Sequence, residues 1–260
     1  MLQENINQHM IRAAMCAGKV LKSAFNSKSL EVISKSVEYH DVMSVADTDA
    51  ESAIIKVLTS KLPTTNILSE EMGYIDRGSV DTIVVDPLDG SSNFLLGLPH
   101  FSVSLVHIHN GTATASVVFS PILNKLYFAE NGKGAYLDNK KLESVSNIEK
   151  HSLCVAVNFS HEAAWIEKQE ALNKINDLGV GRILRNGSPN LDFCLLAEGR
   201  IDAVVSSDSL MYDFAPGYLI AKESGCFEYP VMGPIESSKE SRKSFVIGND
   251  KLLSERLFNL

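Results

Sequence analysis

A layered fold mixing α and β, on the border between the α+β and α/β classes, is what this 260-residue chain predicts. Three observations carry that expectation. Two stripes of apolar residues at helical spacing precede Pro63, and four strand-like runs separated by turn residues follow up to residue 130. Beyond residue 150, strands and helices alternate.

Each element has its own warrant. Ile6, Met10, Ala13, Ala14, Ala17, Val20, Leu21 and Phe25 recur close to every third or fourth position, predicting an amphipathic helix over about 4–26. After a polar stretch around His40, a second stripe runs through Ala50, Ala53, Ile54, Val57, Leu58 and Leu62. Thr48 and Glu51 match a capping box at its start, and Pro63 closes it. "TIVV", "FSVSLVHIHN", "TATASVVFSP" and "KLYFAE" read as strands, with Asn110-Gly111 as a hairpin turn, so the first half predicts helices on an antiparallel or mixed sheet. The polar segment 138–150, "DNKKLESVSNIEK", marks the boundary between lobes of about 1–140 and 150–260. Past it, "SLCVAV" predicts a strand, 161–175 a helix, "LDFCLLAEG" a short helix, "RIDAVVSS" a strand, and 214–224 a helix stopped at Gly225.

Composition removes several classes of function. With 45% apolar and 22% charged residues and no apolar run of about 20, membrane insertion is not expected. The first 25 residues lack a basic start, a continuous apolar centre and a small-residue cleavage site, which predicts a cytoplasmic protein. Cys16, Cys154, Cys194 and Cys226 are far apart and form no CxxC pair, arguing against a disulfide framework or a thiolate zinc site. A net charge of -8 disfavours nucleic acid as a ligand, while a small anion can still bind through a metal.

The chemistry concentrates in "DPLDGSSNF", residues 86–94. Pro87 fixes its own φ and pushes Asp86 into an extended conformation, and Gly90 permits angles other residues resist. Asp86, Asp89 and the Leu88 carbonyl can then converge as hard oxygen ligands suited to Mg2+. "GSSNF" would open a short helix whose first amides and Ser91 hydroxyl suit a phosphate. A DxxDG run alone is often only a turn with Asx bonds. Here it has acidic company: Glu70 and Glu71 in "ILSEEMG", Asp47 in "SVADTDAE" and Asp213 in "MYDFAPG".

Together these segments resemble the inositol monophosphatase family, within the lithium-sensitive, magnesium-dependent sugar-phosphatase superfamily. "DPLDGSSNF" is similar to its D-P-[hydrophobic]-D-G-[ST]-x-N-F signature, and "SEEMG" to its upstream acidic pair. "SVADTDAE" resembles T-x-A-D-x-x-x-E, and "MYDFAPGYLIAKESG" resembles W-D-x-A-A-G followed by E-[AS]-G, all in the expected order. The resemblance covers nearly the whole chain and implies a single domain over 1–260, built as an αβαβα sandwich of the inositol monophosphatase or fructose bisphosphatase type. It implies that Glu70, Asp86, the Leu88 carbonyl, Asp89 and Asp213 hold two or three Mg2+ ions, with Asp47 and Ser91 orienting the attacking water. Glu70 rather than Glu71 is chosen because adjacent side chains of an extended segment face opposite ways and the family uses the first. Gly90, Ser91 and Ser92, with Gly187 and Ser188 of "NGSPNLD", would meet the substrate. The resemblance also implies a homodimer and metal-assisted in-line hydrolysis of a small phosphorylated polyol or nucleotide.

Departures from the pattern bear on the substrate. Tyr212 stands for the usual tryptophan, Pro216 for an alanine and suits a first helical turn, and Pro189 and Asn190 occupy places where small residues are common. Ser206 sits where animal inositol monophosphatases place a glutamate that binds inositol hydroxyls. Arg182, Arg185 and Arg200 could meet a second phosphate, which keeps a 3'(2'),5'-bisphosphate nucleotidase or a sugar bisphosphatase as an alternative. A non-catalytic regulatory or binding protein on the same fold is the alternative of another class. His107 and His109 share a strand face with no nearby carboxylate and read as structural, and Trp165 with Ile166 reads as packing.

Overall fold

The computed structural model describes residues 2–27, 32–34, 42–144, 152–160, 165–235 and 241–260. In chain order the elements are α1 (Leu2–Ser27), β1 (Val32–Ser34), β2 (Val42–Ser44), α2 (Val45–Lys61), β3 (Asn66–Ser69), β4 (Gly73–Ile75), β5 (Asp81–Asp89), α3 (Ser91–Leu95), β6 (Ser102–His109), β7 (Thr112–Ser120), β8 (Lys125–Glu130), β9 (Gly134–Leu137) and β10 (Lys140–Leu142). Then come β11 (Cys154–Phe159), α4 (Trp165–Asp177), β12 (Arg182–Leu184), α5 (Pro189–Ala197), β13 (Ala203–Leu210), α6 (Met211–Glu223), β14 (Phe227–Tyr229), β15 (Arg242–Gly248) and α7 (Lys251–Phe258).

Two mixed sheets organise them. The larger runs β10-β9-β8-β7-β6-β5-β3-β4, antiparallel except where β3 lies parallel to β5. The smaller runs β12-β11-β13-β15-β14, with β11 parallel to both neighbours. Alternation along single strands assigns the layers, because successive side chains leave opposite faces. Ile83 and Val85 join Met10, Leu21, Ile54 and Leu58 of α1 and α2, while Val84 between them joins Phe193, Phe214 and Leu219 of α5 and α6. On β11, Ala156 faces that same central core, and Val155 and Val157 face Ile175 of α4 and Leu253 and Leu257 of α7. The result is a five-layer αβαβα stack. Both sheets are covered on both faces, which is why "TIVV" and "SLCVAV" read as nearly continuous apolar runs.

The hairpin at Asn110-Gly111 pairs His109 with Thr112, and both turn residues have positive φ, 48° and 75°, as a primed two-residue turn requires. Several expectations need correction. The second helix begins at Val45, three residues before Thr48, so Glu51 lies inside it and makes no capping box there. The helix expected from 214 begins at Met211, which puts Pro216 in its interior as the sixth residue rather than in its first turn. Residues 138–142 of the expected boundary belong to the β9–β10 hairpin, and 145–150 lie outside the described residues, as do 161–164 of the expected 161–175 helix. Trp165 and Ile166, expected to pack, are exposed at the start of α4, whereas Leu172 and Ile175 further along it join the outer core.

Candidate active site

The end of β5 is built to present oxygen. Opposite it on β6, Ser104 faces Asp86 and Ser102 faces Asp89, so three steps on one strand match two on the other. That bulge re-aims the chain around Pro87. Leu88 is anchored in the core under α1 and α2, while its N–H donates to Asp86 Oδ1 at 3.1 Å, an Asx turn. Gly90 then takes φ +97°, and a Cβ there would stand 3.1 Å from the His100 carbonyl and 3.2 Å from the Gly187 carbonyl. Only glycine fits both the angle and the approach. The short helix α3 follows, held by Phe94, whose ring packs 5.7 Å from Phe25 and 5.1 Å from Phe101.

Three further elements bring the remaining acids. Ser69 pairs with Val85 in the parallel β3–β5 ladder and the Glu70 N–H donates to the Val85 carbonyl at 3.2 Å, so Glu70 arrives beside Asp86. Asp47 lies in the first turn of α2 and Asp213 in the first turn of α6, where the positive helix end favours a carboxylate. The Ser91 hydroxyl donates to the Leu88 carbonyl at 3.0 Å, Ser92 is exposed at the rim, and Gly187 and Ser188 close against Gly90. The Ser188 hydroxyl is buried and donates to Asp89 Oδ2 at 2.6 Å, so it holds a carboxylate rather than facing solvent.

The electrostatics are those of crowded anions. Burial, then Glu70, Asp89, Asp213 and Asp47 in that order, push Asp86 well above the usual carboxylate range. Burial raises Asp89 to about 6 against hydrogen bonds from Ser188, Ser102 and the backbone N–H groups of Asn190 and Leu191. Burial and then Asp89 raise Asp213 to about 7, opposed by the Leu210 backbone and the Arg242 guanidinium. Among the described residues no three His, Cys, Asp or Glu side chains form a ready metal cage. The donors are nevertheless all hard oxygens whose mutual repulsion a divalent cation would relieve, so these residues fit Mg2+.

Several residues beyond the expected metal and substrate ligands matter here. Glu51 accepts from the Ser69 hydroxyl at 2.5 Å and the Met72 N–H at 2.8 Å, pinning the segment that carries Glu70. The D-x-x-x-E spacing of "DTDAE" was the available signal. Asp192, fully buried and raised to about 7 by burial, accepts from Asn186 at 2.6 Å and lies behind Asp89. Ser206 is buried with its hydroxyl on Ser209 at 2.8 Å. Arg185 lies over the Phe159 ring at 5.8 Å and Arg200 pairs with Glu198 at 2.8 Å. His107 and His109 do have a carboxylate: Asp81 Oδ1 stands 3.1 Å from His107 Nε2 and 2.7 Å from His109 Nδ1, because the β5–β6 register sets Asp81 opposite His109.

The sequence profile of the inositol monophosphatase family matches residues 2–258. The chain belongs to the inositol monophosphatase family. Within it, the chain is 35% identical over 218 residues to Nus factor SuhB of Xylella fastidiosa (strain Temecula1 / ATCC 700964), covering 83% of this chain and 78% of that protein. It is 32% identical over 250 residues to inositol-1-monophosphatase of Rhizobium meliloti (strain 1021), covering 94% and 91%. The crystal structure of extragenic suppressor protein suhB from Bartonella henselae superposes with a TM-score of 0.85 at 30% identity, covering 97% of this chain and 98% of that one. Family members thus carry two kinds of name, one enzymatic and one not.

Proposed function

We propose that this member of the inositol monophosphatase family is a Mg2+-dependent phosphomonoester hydrolase acting on inositol 1-phosphate or a similar polyol phosphate. One observation carries the reading: four carboxylates, Glu70, Asp89, Asp213 and Asp47, crowd a fifth, the buried Asp86, beside the Gly90 turn. Glu70, Asp86, the Leu88 carbonyl, Asp89 and Asp213 hold the cations. Bound there, Mg2+ supplies neutralisation of the carboxylates, polarisation of the phosphate and activation of a water. The amides at the start of α3 and the Ser91 hydroxyl receive phosphate oxygens. Asp47 and Ser91 align the water for attack opposite the ester oxygen, and Ser102 and Ser188 keep Asp89 turned inward. Ser92 and Gly187 line the rim, where the alcohol portion leaves. Such an enzyme is expected to be a cytoplasmic homodimer, and a lithium ion taking one cation position would inhibit it. No helix among the described residues is long and apolar enough to cross a membrane.

The test is phosphate release, with and without Mg2+, from myo-inositol 1-phosphate, glycerol 2-phosphate, fructose 1,6-bisphosphate and adenosine 3',5'-bisphosphate. Preference for the first two supports the reading. Preference for a bisphosphate keeps the chemistry and changes the substrate class, and silence on all four favours a non-catalytic binding protein.

A further inference from the structure

Two departures from the family pattern, Asn190 and Pro216, meet in space. Pro216 is inside α6, where proline has no N–H to give the carbonyl four residues back, that of Tyr212. The Asn190 side chain supplies the missing donor: its Nδ2 reaches the Tyr212 carbonyl at 2.9 Å. The same amide accepts, through Oδ1, from the Gly217 N–H at 2.9 Å. One side chain, fully buried, therefore bonds the α6 backbone on both sides of Asp213 and Pro216. Two residues before it, at the start of the same helix α5, the Ser188 hydroxyl donates to the Asp89 carboxylate at 2.6 Å. The helices come close enough for this because position 217 is glycine; a Cβ there would stand 2.8 Å from Phe193 and 2.9 Å from the Asn190 carbonyl. Across the central layer, the Ser116 hydroxyl donates to the Pro216 carbonyl at 2.5 Å, fixing this turn of α6 to β7.

We infer that Asn190 is a positioning residue that sets Asp89 and Asp213 relative to each other, and that it does so as the partner of Pro216. The inference rests on the reading above that these two aspartates hold the cations. An alanine at 216 would donate to the Tyr212 carbonyl from within the helix. With Pro216 present, that duty and the tie from α5 to the first turns of α6 both fall to Asn190. The two departures are thus one structural change, and their effects are expected to be non-additive.

The experiment is a double-mutant cycle of Asn190→Ala, Pro216→Ala and both together, read by calorimetric titration with Mn2+ as a probe for the divalent site and by thermal melting in chelator. Leu253→Ala, on α7 in the outer core, serves as a control that lowers the melting temperature without touching the site. Asn190→Ala is expected to bind Mn2+ about tenfold more weakly, as loss of a residue behind metal ligands commonly does. Pro216→Ala alone should stay within about twofold of wild type, and the double variant should recover most of the loss, whereas Leu253→Ala should melt lower with unchanged affinity. An Asn190→Ala protein with wild-type affinity, or a double variant no better than Asn190→Ala, overturns the inference. Should Asn190→Ala fail to fold, a folded, metal-binding double variant supports the pairing and an equally unfolded one contradicts it. Wild-type protein that binds no Mn2+ contradicts the functional reading itself, a result distinct from unaltered binding by the variants.

Discussion

Replacing Asp213 with asparagine is expected to stabilise the metal-free protein at alkaline pH, although it removes a proposed metal ligand. In the native state Asp213 titrates at about 7 instead of 3.8, chiefly through burial and then through repulsion from Asp89. A carboxylate with a raised native pKa contributes stability that is complete below the unfolded value and lost as pH climbs through the folded one. Above pH 7 the difference of 7 − 3.8, or 3.2 units, corresponds to about 4 kcal/mol at 1.36 kcal/mol per unit. Asp86 and Asp89 share the same repulsion and the same protons, so one substitution recovers on the order of 2 kcal/mol. For a chain of this size that is a rise of roughly 4–8 °C in melting temperature. At pH 5 only the interval above 3.8 contributes, less than half of the full difference, and the gain should shrink in proportion. The assay is thermal melting in chelator at pH 5 and pH 8, then with Mg2+, where wild type should gain stability and the variant much less. An Asp213→Asn protein that melts below wild type by the same amount at both pH values refutes the reasoning.

Other expectations follow from single contacts. Ser188→Ala removes a hydrogen bond that lowers the Asp89 pKa, so the acidic limb of Mg2+-dependent phosphate release should move to higher pH; an unchanged profile would count against that role. Glu51→Ala leaves the Ser69 hydroxyl and Met72 N–H without their acceptor, which should cost roughly 1–3 kcal/mol by chemical denaturation and raise the Mg2+ needed for half-maximal activity. His107→Ala should destabilise by roughly 1–3 kcal/mol because it breaks a buried bond to Asp81, whereas His109→Ala, half exposed, should stay within about 0.5 kcal/mol. Equal effects at the two histidines would show that the cluster is not organised by burial.

What could be read in the sequence was local. The helical stripes, the Asn110-Gly111 turn and the "DPLDGSSNF" run each declare themselves within a dozen residues, through periodicity or turn chemistry. Elements and contacts defined by distant pairing carry no such local signal. β14 and β10 have three residues each and exist because a neighbouring strand completes them. β15 and α7 close the second sheet and its outer layer without a turn signal of the kind that marked the first hairpin. At the site, the acids in the motifs were legible, but their support was not. Glu51 looked like a capping residue because Thr48 is three positions away, whereas its partners are 18 and 21 positions away. Asp81 meets His107 and His109 across 26 and 28 residues through strand register alone. By sequence Pro216 falls in a first helical turn, because the start of α6 at Met211 depends on where β13 ends, at Leu210.

The most direct test of the central claim is a Mg2+ titration of phosphate release from myo-inositol 1-phosphate by wild type beside Asp86→Asn. Activity should rise from the chelator baseline with Mg2+ in wild type and stay at baseline in the variant across the titration. Activity that is independent of Mg2+, or equal in the two proteins, would contradict it.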